Sequence, residues 1–551
     1  MKLKKITAGL LACAMVVSLS ACGSSNGGSE TTAASGAGAE AVAAESATVE
    51  QQMEARGIEK ANSETGNTQT TDETLVVQLN SMPDNLWHPG AAANGANEEQ
   101  VINAALLDRL VDLDENTNEV VPMLASSWEW VSDTELKFHL RDDVTMTDGT
   151  PLVADDVVYT ANVWKENCAS NDTGAYIDSA TAEDEHTVVI KYNVVAPEIL
   201  KMMTWANFGI VSEDEVNALG GLEAASKNPV MGSGKYRFKE WKSGEYVLLE
   251  RNDNYWDKDY KGYFKEIKLT AVSDSGAKAS SVQSGDAQVA FDMPVSQAAT
   301  FGQNPEVRTY VYSNGEIEHL FFNMSEGHAT SDIRVRQAIA KALNYDAIAQ
   351  VASAGFSGKA YSYAAPEAPY YNANYTEEDM ARDIEGAKAL LAEAGYADGL
   401  EISTVTLPDL ADLYTVIQGN LAEVGITLKI ENVDMGAFVP AMLQDKSYDI
   451  VAVGDAITFR TPQLPQFVRE GVVFGGPAVV LPEHEEILTK LMQAKTDDEA
   501  KELLAQYDAK NKEDVMCTNL YGAYRSSLTG KDIKGFAIRE RGYADITTLY
   551  K

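Results

Sequence analysis

Basic charge is scarce in this 551-residue chain: 44 lysines and arginines stand against 83 aspartates and glutamates, a formal charge of −39. That balance excludes nucleic acid and an anionic bilayer as principal partners, because both repel a strongly negative surface. It keeps a chain soluble and self-repelling, and it mildly favours cationic ligands. Cysteine is nearly absent as well. Of the four, Cys13 and Cys22 lie close to the N-terminus, whereas Cys168 and Cys517 are far apart. With no CxxC pair there is neither a zinc-ligand spacing nor a disulfide framework. Two buried thiols are expected at Cys168 and Cys517, and the spacing leaves open whether they meet.

Catalytic signatures are missing too. The six histidines are scattered, and His484-Glu485-Glu486 lacks the second histidine four positions on that a zinc helix needs. The one G-x-S-x-G match, Gly23 to Gly27, lies in the polar stretch after Cys22 and not at a strand-to-helix turn, so it is no nucleophile elbow. Gly232-Ser233-Gly234-Lys235 looks like the end of a phosphate loop, but Pro229 occupies the first glycine position and Tyr236 replaces the Ser/Thr. Asp112-x-Asp114-x-Asn116-x-Asn118 resembles a calcium loop, yet Thr117 stands where glycine is required and Met123 where the closing glutamate belongs. No enzyme, metal site or cofactor is expected.

Long apolar runs are limited to one, from Ile6 to Leu19, preceded by Lys2, Lys4 and Lys5. It is short for a membrane span and suits a signal peptide. The run ends in Leu19-Ser20-Ala21-Cys22-Gly23, which resembles the bacterial lipobox; the resemblance implies cleavage after Ala21 and a diacylglyceryl group on Cys22. Residues 24–71 hold no aromatic side chain and bury too little apolar area to fold alone, although residues 39–61 favour partial helix. The expectation is a signal peptide over residues 1–21 and a lipid-anchored flexible linker over 22–74, of typical span roughly 35–40 Å.

From residue 75 the texture is that of an α/β protein. Residues 75–79 read as a first strand and 100–113 as a helix. A hairpin is expected over 124–140, a helix from Ala154 to Trp164 and a strand over 187–192. Residues 228–256 hold a second hairpin, with Tyr236 and Phe238 alternating before Lys242-Ser243-Gly244-Glu245 and Val247 to Leu249 after it. A strand follows at 264–271, then a short helix, a Gly285-Asp286 turn and a strand by 290. Asp332 caps a helix to Leu343. Two more helices stop at Gly395 and Gly425, strands are expected at 426–430 and 448–453, a helical region covers 483–511, and short strands close the chain from 520.

The order and spacing of these blocks resemble family 5 of the bacterial extracellular solute-binding proteins, the peptide- and nickel-binding group of ABC importers. The carriers are the Leu124 to Trp130 block with its hairpin, Asp148-Gly149-Thr150-Pro151 with Ala154-Asp155-Asp156-Val157, the 228–256 stretch, Ser284-Gly285-Asp286, Arg334-Val335-Arg336-Gln337-Ala338-Ile339 and residues 387–395. The resemblance implies a two-lobed, periplasmic-binding-protein-like (type II) fold with a hinge and an extra domain inserted in lobe I. Lobe I would comprise residues 75–113, 204–316 and 515–551, the inserted domain 114–203, and lobe II 317–514, with the hinge near Glu316 and Asp514. It further implies a monomer on the extracellular face of the bacterial cytoplasmic membrane, held there only by its lipid. The solute, most simply a short peptide, would be caught by hinge closure and handed to an ABC permease and ATPase complex.

The resemblance also places the site. Peptide-binding members meet the ligand ammonium with an aspartate in a lobe II loop; here the matching residues are Gly454-Asp455. The usual tryptophan-containing run ending in Asp-Pro is replaced by Ala456-Ile457-Thr458-Phe459-Arg460, so a glycan, metal chelate or other solute stays open, as does a sensory role. The loop Ser81-Met82-Pro83-Asp84-Asn85 would line the cleft from lobe I. Trp205, Asn207 and Phe208, and likewise Tyr361 and Tyr363, either cover the ligand or pack in a core.

Overall fold

The computed structural model describes residues 49–551 apart from 65, 68, 84–85, 87–96, 115–116, 118, 168–172, 228–231, 457, 461–477 and 540–541. Cys13, Cys22, Asp84, Asn85 and Cys168 lie outside the described residues. Cys517 is buried, with its thiol beside Asn511.

The fold is α/β, and its centre is a mixed eight-stranded sheet. In spatial order the strands are Ile450–Ala456, Val307–Phe322, Cys517–Gly530, Val289–Pro294, Thr74–Leu79, Glu266–Ala271, Tyr246–Arg251 and Tyr236–Lys242. Thr74–Leu79 runs parallel to both neighbours and the remaining pairs are antiparallel. The outermost hairpin turns at Gly244, whose φ of +73° is the left-handed conformation such a turn demands. Tyr236, Val247 and Leu249 point into the apolar core beneath it.

A second sheet takes the order Ala125–Ser132, Glu135–Leu140, Thr187–Tyr192, Ile177–Asp184, all antiparallel. Leu136, Phe138, Val188 and Ile190 pack from it against Val157 and Trp164 of the helix Ala154–Asn167. Elsewhere the helices Ile333–Ala342, Ile384–Glu393 and Ala411–Ala422 bury one face over the parallel pair Leu400–Thr406 and Ile426–Asn432. Asp332 and Asp383 cap two of them by accepting the Arg334 and Gly386 N–H groups. Gly395 and Gly425 then reverse the chain at φ +96° and +84°.

Four elements differ from expectation. The helix expected over 100–113 is Asn97–Leu106, because the buried Asp108 pins the exit. Its carboxylate accepts from Ser233 (2.9 Å), Tyr255 (3.1 Å) and Trp256 Nε1 (2.7 Å), and Val111–Asp114 becomes a strand. The helical region 483–511 is two helices, Pro482–Gln493 and Asp497–Asp514, divided where Thr496 accepts the Glu499 N–H. The closing short strands begin as one long strand, Cys517–Gly530.

The fourth difference concerns the expected tether. Residues 49–64 do not behave as a free linker: Val49–Arg56 is helical, and Met53 and Ile58 are buried against Val295, Val311 and Phe356. Arg56 donates to the Ala354 carbonyl (3.0 Å), and the Arg308 guanidinium holds Glu59 and Glu64. Two apolar side chains in a polar stretch were enough to dock it.

Candidate ligand site

Val307–Phe322 and Cys517–Gly530 are the long strands of the central sheet, and they pair along most of their length. Val307 to Ser313 face Gly530 to Tyr524 in continuous register. Between Ser313 and Ile317 the register shifts, at Gly315 with φ +73°, and it shifts again between Glu318 and His319. Such bulges bend a strand and leave backbone groups out of the ladder. Glu316 to Phe322 also pair with Ile450–Ala456. One strand thus joins the sheet that carries Thr74–Leu79 to the core beneath Leu400–Thr406.

At this junction charged side chains converge. Arg525 places Nε 3.7 Å from Asp292 Oδ1 and Nη1 3.5 Å from Asp409 Oδ2. It also feels Glu316, and the surrounding carboxylates hold its charge firmly. Glu316 and Glu318 lie two apart on one strand, hence on one face, and both approach Gly454. A Cβ built on Gly454 would stand 3.2 Å from an oxygen of each. Asn314 donates to Glu316. Glu318 is buried, and its Oε1 has no hydrogen-bond partner. Burial, reinforced by the Glu316 carboxylate, pushes Glu318 up to about 8.

On the other flank Asp292 Oδ1 likewise has no hydrogen-bond partner, but a lysine stands nearby. Asp292 occupies a non-glycine left-handed conformation, φ +50°, at a bulge of Val289–Pro294. Asn80, the residue after the first strand, donates to the Asp292 carbonyl (3.0 Å), and Lys278 donates to Asn80 Oδ1 (2.5 Å) and the Phe291 carbonyl (2.7 Å). Burial lowers Lys278 to about 8, against the pull of Asp292 and Glu98. The Ser81 N–H bonds Glu98, which brings the loop at Met82 and Pro83 beside this flank; both residues are half-buried and Met82 packs on the sheet core.

The structure brings some expected site residues here and leaves others elsewhere. Gly454 and Asp455 are not in a loop: the strand extends to Ala456, and they pair with Glu318 and Ile317. Trp205 and Phe208 are buried in the core of the second sheet, with Phe208 edge-on to Trp164 at 4.8 Å. Tyr363 is fully buried and stacks on His319 at 4.5 Å. Tyr361 donates to Glu377. Glu318, Asp292, Asp409 and Arg525 went unnoticed in the sequence, and Glu316 was expected only as a hinge position. The signal available was Glu-x-Glu inside an otherwise apolar run, two acids on one face of a strand that has no outside.

A cavity of about 330 Å³ adjoins the bulge, lined by Met53 and Asn62 of the docked segment, Tyr312 to Gly315, Thr458 and Tyr524. No helix among the described residues is long and apolar enough to cross a membrane.

The model of bacterial extracellular solute-binding proteins, family 5 Middle, matches residues 119–468. The chain belongs to this family. Family 5 proteins are binding proteins associated with transport rather than enzymes. Among curated relatives, the probable ABC transporter periplasmic-binding protein SapA of Escherichia coli K12 is 25% identical over 517 residues, covering 85% of this chain and 90% of that one. Among solved structures, the dipeptide-binding protein of Pseudoalteromonas sp. SM9913 in complex with Met-Leu matches with a TM-score of 0.76 at 20% identity, over 87% of this chain and all (100%) of the other. MoaA of A. tumefaciens R10 in complex with mannopinic acid matches with a TM-score of 0.75 at 21% identity, over 87% and 99%. This family 5 chain therefore has the two-lobed α/β fold of the periplasmic solute-binding proteins.

Proposed function

We propose that this chain is the substrate-binding lipoprotein of an ABC importer, and that it captures a short extracellular peptide by hinge closure for delivery to a membrane permease. The observation that supports the reading is the junction itself, where the crossing strands bring Glu316 and Glu318 against Gly454 and Arg525 between Asp292 and Asp409. Lobe I (75–113, 204–316, 515–551), an inserted domain (114–203) and lobe II (317–514) are the proposed parts. The bulges at Gly315 and Glu318 are then the bending point, and Arg525 with Asp409 is a contact that forms between lobes. A ligand touching both lobes favours the closed state by its differential affinity alone. Asp455 would receive the peptide ammonium, Met82, Pro83 and Asp84 would line lobe I, and Cys22 would carry the lipid.

A second reading, a non-peptide solute, draws support from residues 456–460. Arg460 does not stand free for a ligand: Nη1 reaches Asp497, Nη2 lies 3.4 Å from Glu198, and its N–H donates to Glu198 (2.7 Å). A run that serves recognition in peptide binders is partly structural here. The test is native mass spectrometry of protein purified from its host. A heterogeneous set of short-peptide masses supports the first reading, and one discrete non-peptide mass replaces it with the second.

A further inference from the structure

Glu318 is 5% exposed, and one of its oxygens is bonded to nothing. The other shares with Glu316 the space over Gly454, which a single methyl group would fill. Arg525 is the cation within reach, but its near partners are Asp292 and Asp409. Glu316, Glu318 and Asp409 thus draw on one guanidinium, which Asp292 shares while also facing Lys278. A buried carboxyl without a charged partner is unfavourable as the anion and keeps its proton until a cation stands beside it.

We propose, resting on the solute-binding reading, that Glu316 and Glu318, whose oxygens converge beside Gly454, form a subsite for a second cationic group of the ligand. That group is a primary ammonium or guanidinium borne on a side chain, separate from any terminal ammonium at Asp455. Its donors bridge the Glu316 and Glu318 oxygens that face Gly454 with charge-assisted hydrogen bonds. The large negative charge of the chain attracts such ligands before contact.

Docking is coupled to a proton. The groups that face Glu318 are Glu316 on its own strand, Tyr521 and Arg525 on the neighbouring strand, Asp409 after Leu400–Thr406, and Tyr414 on the helix behind. Glu318 holds its proton at neutral pH, and a cation expels it. Affinity for the cationic ligand therefore rises as pH approaches 8, by up to about tenfold per unit.

Isothermal titration of the mature chain with Ala-Lys-Ala against Ala-norleucine-Ala, Ala-Arg-Ala against Ala-citrulline-Ala, and spermidine tests this. Each charged tripeptide should bind at least about tenfold tighter than its neutral counterpart. The gap should close in Glu318→Gln and narrow in Glu316→Gln, with a cooperative melt in each variant showing that it is folded. Equal affinity within both pairs, or a gap that survives both substitutions, overturns the subsite. Spermidine binding that depends on Glu318, with no tripeptide binding, removes the peptide reading and leaves the subsite standing. Neutral and charged tripeptides binding alike does the reverse, and binding of no probe overturns both.

Discussion

Two charge clusters in this molecule use the same side chains and reach opposite balances. Around Asp545, the carboxylate receives Arg539 Nη2 at 2.8 Å and the Thr547 N–H at 3.0 Å, with Lys235 at 3.7 Å. Arg109 and Arg539 also serve Asp112. Burial opposes ionisation of Asp545, but Lys235 and Arg539 outweigh it and hold the group far below its ordinary value. Around Glu318, acids outnumber bases and burial prevails. Both sites are hidden from water, so burial does not separate them. What separates them is whether the fold itself completes the set of partners. The first set is scaffold; the second is where the proposed subsite lies.

The sharpest way to break that contrast is to uncomplete the scaffold. Asp545→Asn leaves Arg539 and Lys235 without their carboxylate and should cost about 3–5 kcal/mol in chemical denaturation. In the wild type the Asp545 contribution is full above its ordinary pKa and is lost as pH falls through the folded value.

The mirror experiment is Glu318→Gln. Unfolded, Glu318 ionises near 4.5, but in the fold only near 8. Its contribution is therefore full below pH 4.5 and is lost as pH rises towards 8. The variant should match the wild type near pH 4.5 and exceed it by about 1–3 kcal/mol at pH 8 without ligand. A pH-independent difference between the two would remove the contrast.

Arg525→Gln takes away the one base shared by the open cluster. Stability should fall by about 1 kcal/mol, while calorimetry with Ala-Lys-Ala should show tighter binding, since the ligand then meets less competition. The smallest effect is expected from Asp409→Asn, whose partner contact is partly exposed: about 0.2–1 kcal/mol, fading at high salt.

Local grammar carried most of the fold. The hairpin around Gly244 was legible because alternation and turn agree, and Asp332, Gly395 and Gly425 marked helix ends by chemistry that acts over a few residues. Val307–Phe322 was not legible, because a strand buried on both faces has no alternation. The lobe boundary was accordingly drawn through its middle at Glu316. Gly454 and Asp455 looked like a loop because their pairing partner, Glu318 with Ile317, lies far away in sequence. The same distance hid the site: Glu318 and Arg525 approach one another only after two long strands have paired.

The docked segment has a practical consequence. Its cavity is walled on one side by residues 49–62 and on the other by Tyr312 to Gly315 of the bulged strand. If the proposed hinge lies at the bulge, closure reshapes that space whatever the ligand is. An environment-sensitive fluorophore on Val49→Cys would therefore report closure from a wall that includes neither Glu318 nor Gly454, turning the protein into an optical sensor for its own solute.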